Sequence, residues 1–389
     1  MKQSKIACTL FAALITCCAT AQFPQREQMP EGSVAPVTNI NVNGYPRILS
    51  DNSLSFRLNA PDAKLVQVDI CGTKYDMTRN DNGLWSVTIP AQVPGFHYYA
   101  LVVDGVSVND PASETFYGCG KMMSGIDIPE ANTDVFEIKD VPHGEVRQVN
   151  YFSKVDNEWR PLFIYTPAGY NENADRYPVV YIQHGGGEDH RGWVQQGRMA
   201  NILDNLIAEG KAEPMIIVMN SGYAQHEGSN DSFDAFEEMI CDEVIPFVDA
   251  HYRTIADRRH RATAGLSWGA KQAYDLALGH PEYFASMAGF SGIIVIGEFN
   301  HSNPGFKDPK QLNAAYNGIF SNPKQFNKDT DVLFIANGEA EGNHLADMSK
   351  ILKKKGIKNT FYQSPKTAHE WLTWRRCLYN YAQLLFKED

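Results

Sequence analysis

Positive charge is in short supply in this chain. Against 46 Asp and Glu there are 35 Lys and Arg, leaving a formal net charge of −11 over 389 residues. A surface of that sign repels a phosphate backbone, which excludes nucleic acid as a partner. Long apolar runs are also missing. The one extended run lies at the extreme N-terminus and is too short to span a bilayer, so no membrane span is expected. Cysteine is sparse, with 7 residues, no two of them at metal-ligand spacing. The 30 Gly and 20 Pro follow no period, which excludes a collagen-like or low-complexity chain.

The N-terminal run has the grammar of an export signal. Lys2 and Lys5 precede the apolar stretch Ile6 to Thr16, and Ala19-Thr20-Ala21 forms a small-x-small cleavage site. Residues 1–21 therefore read as a signal peptide, which implies a secreted or periplasmic protein. A lipid anchor at Cys17 or Cys18 is disfavoured because Thr16 is a poor residue before a lipidated cysteine. Past the signal, Cys71, Cys119, Cys241 and Cys377 remain, and both disulfides and plain buried thiols are open to them.

Two patterns divide the rest of the chain. Over residues 34–137, short alternating runs such as Leu54 to Leu58, Val66 to Ile70, Trp85 to Ile89 and His97 to Val103 are punctuated by Asn82-Gly83, Pro94-Gly95 and Asp104-Gly105. That spacing predicts an all-β sandwich, with Asp104-Gly105 as a two-residue hairpin turn. Over residues 141–389 the pattern changes to strands alternating with helices. Tyr177 to Ile182 and Met215 to Met219 are continuous apolar runs, as in strands covered on both faces. Between them Met199, Ile202, Leu203, Leu206 and Ile207 recur at helical spacing. Further strands are predicted at Arg261 to Ala264, Ser286 to Phe290, Val332 to Ala336 and Asn359 to Tyr362. The fold class is therefore α/β: a doubly wound, mostly parallel sheet preceded by the sandwich. In such sheets reacting groups collect at the carboxyl ends of the strands.

One such end carries Gly265-Leu266-Ser267-Trp268-Gly269 between a predicted strand and a predicted helix. A serine there sits on a tight strand-to-helix turn that lifts its hydroxyl clear of the sheet, which makes Ser267 the candidate nucleophile. A serine hydroxyl needs a base and an orienting carboxylate. His369, after the last predicted strand and before the C-terminal helix, is the best placed of the 11 histidines. Glu341 is the first choice for the acid, with Glu339 and Asp347 as alternatives, and all three preserve the chain order nucleophile, acid, base of α/β-hydrolases. The run His184-Gly185-Gly186-Gly187 follows a strand without the Gly-Lys-Ser/Thr of a phosphate loop. Its Gly186 N–H, with the N–H of Trp268, is expected to form an oxyanion hole.

These stretches resemble carbohydrate esterase family one, which includes feruloyl and acetylxylan esterases and relatives of esterase D. The matching residues are Tyr181 to Asp189, Gly197-Arg198 through Lys211, Ala264 to Gly269, and Ala368 to Trp371 with Trp374-Arg375. The first domain is similar to an immunoglobulin-like E-set module related to family forty-eight carbohydrate-binding modules, through Phe56 to Pro61, Asn82 to Trp85, Tyr98-Tyr99 and Asp104-Gly105. The resemblance implies an α/β-hydrolase that cleaves acyl esters on plant xylan or its oligosaccharides through an acyl-enzyme, with no metal or organic cofactor. The run departs from the family pattern at Trp268, where a methionine is usual, and in the acid loop, which lacks the usual Asp. Ferulate or another hydroxycinnamate is the expected acyl group, packing on Trp268, Trp193 or Tyr223. Acetylxylan hydrolysis is the nearest competitor, and a non-catalytic carbohydrate-binding protein is the alternative from a different class.

Overall fold

The computed structural model describes residues 29–130, 135–295 and 310–387. The signal peptide expected at residues 1–21 lies outside the described residues. Ten strands come first: β1 (Arg47–Ile48), β2 (Leu54–Asn59), β3 (Val66–Ile70), β4 (Thr73–Asp76), β5 (Thr78–Arg79), β6 (Leu84–Ile89), β7 (Gly95–Val103), β8 (Val106–Val108), β9 (Thr115–Gly118) and β10 (Lys121–Ile128). They form two sheets, β1-β2-β6-β5 and β4-β3-β7-β10-β9, the latter with β8 on β7. Phe56, Val68, Trp85, Tyr99, Leu101 and Ile126 pack between them as the sandwich core. The Asp104-Gly105 turn has φ of 48° and 88°, positive at both centres as a type I′ turn requires. Two more hairpins use the same geometry with cysteine leading: Cys71-Gly72 at 51° and 83°, and Cys119-Gly120 at 53° and 75°. Cys71, Cys119, Cys241 and Cys377 are free thiols.

Among the described residues eight strands build a third sheet: β11 (Glu145–Ser153), β12 (Glu158–Thr166), β13 (Val179–Gln183), β14 (Ile216–Asn220), β15 (Arg261–Leu266), β16 (Ser286–Phe290), β17 (Val332–Gly338) and β18 (Thr360–Ser364). Their order is β11-β12-β14-β13-β15-β16-β17-β18. From β14 onward all neighbours are parallel, whereas β12 runs antiparallel to both β11 and β14. Among the described residues seven α segments accompany them: α1 (Met199–Ala208), α2 (Phe236–Glu238), α3 (Ile245–His251), α4 (Trp268–Gly279), α5 (Pro323–Asp329), α6 (His344–Lys355) and α7 (Trp371–Ala382). Separate apolar clusters cover the two faces of this sheet, as expected for a doubly wound fold. Among the described residues no helix is long and apolar enough to cross a membrane.

The two units share a core. Phe96 and Phe116 of the sandwich pack in the same cluster as Trp193, Trp371 and Leu378 of the second unit. The seam is also tied by charge. Arg375, 2% exposed, donates to both carboxylate oxygens of Asp127 at 2.7 and 3.2 Å, and Arg198 reaches the same carboxylate at 2.8 Å. Burial pushes the Asp127 carboxyl up, but the two guanidiniums outweigh it and hold it below its ordinary range.

Candidate active site

The turn after β15 is built by exclusion of side chains. Ser267 has φ 52° and ψ −117°, a conformation that costs a non-glycine residue roughly 1–3 kcal/mol. A Cβ on Gly265 would lie 2.0 Å from the Gly269 carbonyl oxygen, and one on Gly269 would lie 2.2 Å from the His184 carbonyl oxygen. Neither contact is tolerable, so both flanking positions require glycine. The Ser267 N–H donates to the Phe290 carbonyl at 2.8 Å, which ties the turn to β16. Directly behind it α4 begins, presenting its N-terminus to the same point.

His369 follows β18 and precedes α7. Its Nδ1 lies 2.9 Å from Glu341 Oε2. A nitrogen that faces a carboxylate carries the proton, so Nε2 keeps its lone pair and is the basic atom. Glu341 is itself held: Oε1 accepts from the Gly338 N–H and from the Ser291 hydroxyl, each at 2.7 Å. The Trp374 indole N–H donates to Ser291 Oγ at 3.1 Å, which turns the serine's own proton toward Glu341. The Trp374 ring meets the His369 ring edge to face, with centroids 5.2 Å apart. Burial raises the Glu341 carboxyl, but the bonds from His369, Gly338 and Ser291 together bring it below its ordinary value. The other two carboxylates lie elsewhere. Glu339 Oε2 accepts from the Lys366 N–H at 2.7 Å, and Asp347 pairs with Lys350 on an exposed face of α6.

The glycine loop after β13 closes against the same turn. A Cβ on Gly185 would stand 2.5 Å from Leu266 Cδ1 and 3.3 Å from Ser267 Cβ, so the loop backbone comes close to the serine because it is bare. Gly187, at φ +76°, is held from two directions. Its N–H donates to Tyr223 Oη at 2.8 Å, and its carbonyl accepts from the Gly120 N–H of the β9–β10 turn at 2.8 Å. A hairpin tip of the sandwich therefore braces the loop beside Ser267. His184 Nε2 accepts from the Gly222 N–H at 2.9 Å and its Nδ1 donates to the Gly185 carbonyl at 2.8 Å. Burial pushes it down to about 4, so it is a neutral structural group.

Ser267 and His369 open on one cavity of about 660 Å³. The sandwich supplies Phe96, Tyr98, Cys71 and Cys119 to its wall, and the second unit supplies Gly185, Gly186, Glu188, Trp371 and Trp374. Strained serine, carboxylate-bound histidine and bare glycine loop together are the parts list for acyl transfer.

The Esterase family model matches residues 153–381. The chain belongs to this family. Its chemistry is carboxylic ester hydrolysis. Among curated proteins the esterase is 37% identical over 358 residues to an endo-1,4-beta-xylanase/feruloyl esterase of Xylanibacter ruminicola, a match covering 88% of this chain and 46% of that protein. It is 31% identical over 147 residues to endo-1,4-beta-xylanase Y of Acetivibrio thermocellus, covering 35% of this chain and 13% of that protein. The chain thus spans less than half the length of either relative. Among solved structures, enterochelin esterase from Shigella flexneri aligns with TM-score 0.64 at 16% identity, over 87% of this chain and 94% of that one. A ferulic acid esterase from Anaeromyces mucronatus, in complex with ferulic acid, aligns with TM-score 0.55 at 23% identity, over 67% of this chain and 98% of that one. At these identities the likeness concerns the fold.

The esterase corrects the expected aromatic contacts. Trp193 is 1% exposed, its indole N–H donates to the Gln183 carbonyl at 2.9 Å, and it is core. Trp268 packs its ring on Phe233 at 4.8 Å and does not line the cavity of Ser267. Tyr223 serves the Gly187 N–H and lines a separate cavity on the other flank of the loop. The rings that do wall the cavity are Phe96, Tyr98, Trp371 and Trp374, none of which the sequence pattern had marked for substrate contact. A signal for the first two existed. In β7 seven of nine residues are buried, on both faces, whereas a sandwich strand facing water would alternate.

Proposed function

We propose that this esterase releases hydroxycinnamoyl groups, ferulate foremost, from plant xylan or its oligosaccharides, with Ser267 as nucleophile. The observation that carries the reading is the pairing of His369 with Glu341 on the rim of an aromatic-walled cavity that also holds Ser267. Four aromatic rings suit a planar aromatic acid better than acetate, which has no face to stack. The similarity to the Xylanibacter endo-1,4-beta-xylanase/feruloyl esterase supports the same substrate class.

In this reading Ser267 Oγ attacks the ester carbonyl while His369 Nε2 takes its proton. Glu341 steadies the imidazolium through Nδ1, and the N–H groups of Gly186 and Trp268 receive the charge on the carbonyl oxygen. His369 then protonates the departing sugar oxygen. Water, deprotonated by the same nitrogen, releases the acid and restores Ser267. The leader-like residues 1–21 support export, and the sandwich acts as a wall of the cavity. The test is release of ferulate from methyl ferulate and of acetate from acetylated xylan by the purified protein, beside Ser267→Ala. Ferulate release by the native protein alone is expected. A folded native protein that releases neither acid, or that resists fluorophosphonate labelling, refutes the reading.

A further inference from the structure

On the far flank of the glycine loop lies a second cavity, of about 330 Å³. It is lined by Trp159, Arg160, Asp189, His190 and Tyr223, and shares Glu188 with the cavity of Ser267. The sheet register puts it at the catalytic edge. Leu162 of β12 pairs with Asn220 at the carboxyl end of β14, so the tip of the antiparallel β11–β12 hairpin projects where the reacting loops gather. At that tip stand two large rings that folding leaves in water. Trp159 is 70% exposed and Phe152 46% exposed, and they meet edge to face at 5.7 Å. Trp159 is thus supported by a neighbour without being covered by it.

Polar groups surround the platform and are held in place. Arg160 is fixed by Asp156, by Glu158 and by the carbonyls of Ser221 and Tyr223. His190 stacks on Phe163, and its buried Nδ1 has no hydrogen-bond partner. Both signs of charge are present, Arg160 against the carboxylates Glu158, Glu188 and Asp189, so the lining offers donors and acceptors together. A flat apolar face ringed by donors and acceptors matches a sugar, whose C–H face is apolar and whose rim is hydroxyl.

We propose that Trp159 and the adjoining cavity form a saccharide subsite that holds the polymer chain bearing the ester. The inference rests on the ester being carried by a polysaccharide, and it assigns the acyl and sugar parts of the substrate to opposite flanks of one loop.

The experiment compares the full-length protein with Trp159→Ala and Trp159→Phe on feruloylated arabinoxylan and on methyl ferulate, which has no sugar. With Trp159→Ala the ratio of kcat/KM on polymer to that on methyl ester is expected to fall roughly tenfold, through KM, and Trp159→Phe to restore most of it. An unchanged ratio overturns the subsite. If the native protein cleaves neither feruloyl substrate, the ferulate reading falls, and affinity electrophoresis through unesterified arabinoxylan decides the subsite independently. Retardation of the native protein that Trp159→Ala loses supports it. Equal mobility of the two, or a Trp159→Ala change confined to oligomeric state on size exclusion, overturns it.

Discussion

Glu341→Gln isolates what the carboxylate contributes to His369. The amide matches the carboxylate in size, and its remaining oxygen can still accept from the Gly338 N–H and the Ser291 hydroxyl, both at 2.7 Å. Because those two donors claim the oxygen, the NH₂ group is directed at His369 Nδ1, now 2.9 Å from a donor instead of an acceptor. Nδ1 must then give up its proton, which moves to Nε2, and Nε2 becomes a donor unable to act as base. The loss expected from a wrong tautomer together with an unstabilised imidazolium is roughly 10³–10⁴ in kcat, about 4–5 kcal/mol. The assay is steady-state hydrolysis of methyl ferulate, with circular dichroism to show an intact fold. Glu339→Gln is the comparison, since its oxygen can go on accepting from Lys366, and it should stay within roughly twofold of the native rate. Glu341→Gln within tenfold of native, or Glu339→Gln falling as far, refutes the assignment.

Glu188 is raised to about 7, mainly by burial, so its contribution to stability is fully present below its ordinary value of 4.5 and is lost as pH rises through about 7. Urea unfolding at pH 5 and pH 8 should show a loss of roughly 3 kcal/mol in the native protein that Glu188→Gln largely removes. Gly265→Ala forces a Cβ to within 2.0 Å of the Gly269 carbonyl oxygen, and denaturant curves should show a cost of at least ~3 kcal/mol or no soluble protein. Asp127→Ala leaves the buried Arg375 guanidinium without its carboxylate and should cost roughly 3–5 kcal/mol, read by the shift in unfolding midpoint.

Legibility in the sequence tracks the range of the forces involved. The serine turn could be read because its constraint is local: two glycines two residues either side of Ser267, each barred from bearing a Cβ by backbone a few residues away or on the next strand. The parallel strands could be read because burial on both faces leaves an apolar run, as at Val179–Gln183 and Ile216–Asn220. Glu341 emerged from chain order alone, while its preference over Glu339 depends on Ser291 and Gly338, which no spacing reveals. Proximity in sequence misled for the aromatic rings. Trp268 follows Ser267 directly, yet the sharp turn sends its side chain toward Phe233. The β11–β12 hairpin is not legible because β11 is mostly exposed and polar, with only Tyr151 and Ser153 buried, and only the register of β12 with β14 shows where the hairpin tip lies.

The brace between Gly120 and Gly187 has a thermodynamic consequence. Since one cavity takes its walls from both units, a molecule bound there is lost if either unit unfolds or departs, and its binding free energy accrues to both. At a hundred times its dissociation constant that amounts to about 2.7 kcal/mol. Separation would also strand the Asp127 carboxylate and the Arg375 guanidinium in opposite halves of an opened apolar seam. Sandwich and hydrolase sheet should therefore melt as a single cooperative body, and a ligand in the cavity should raise one melting temperature instead of separating two.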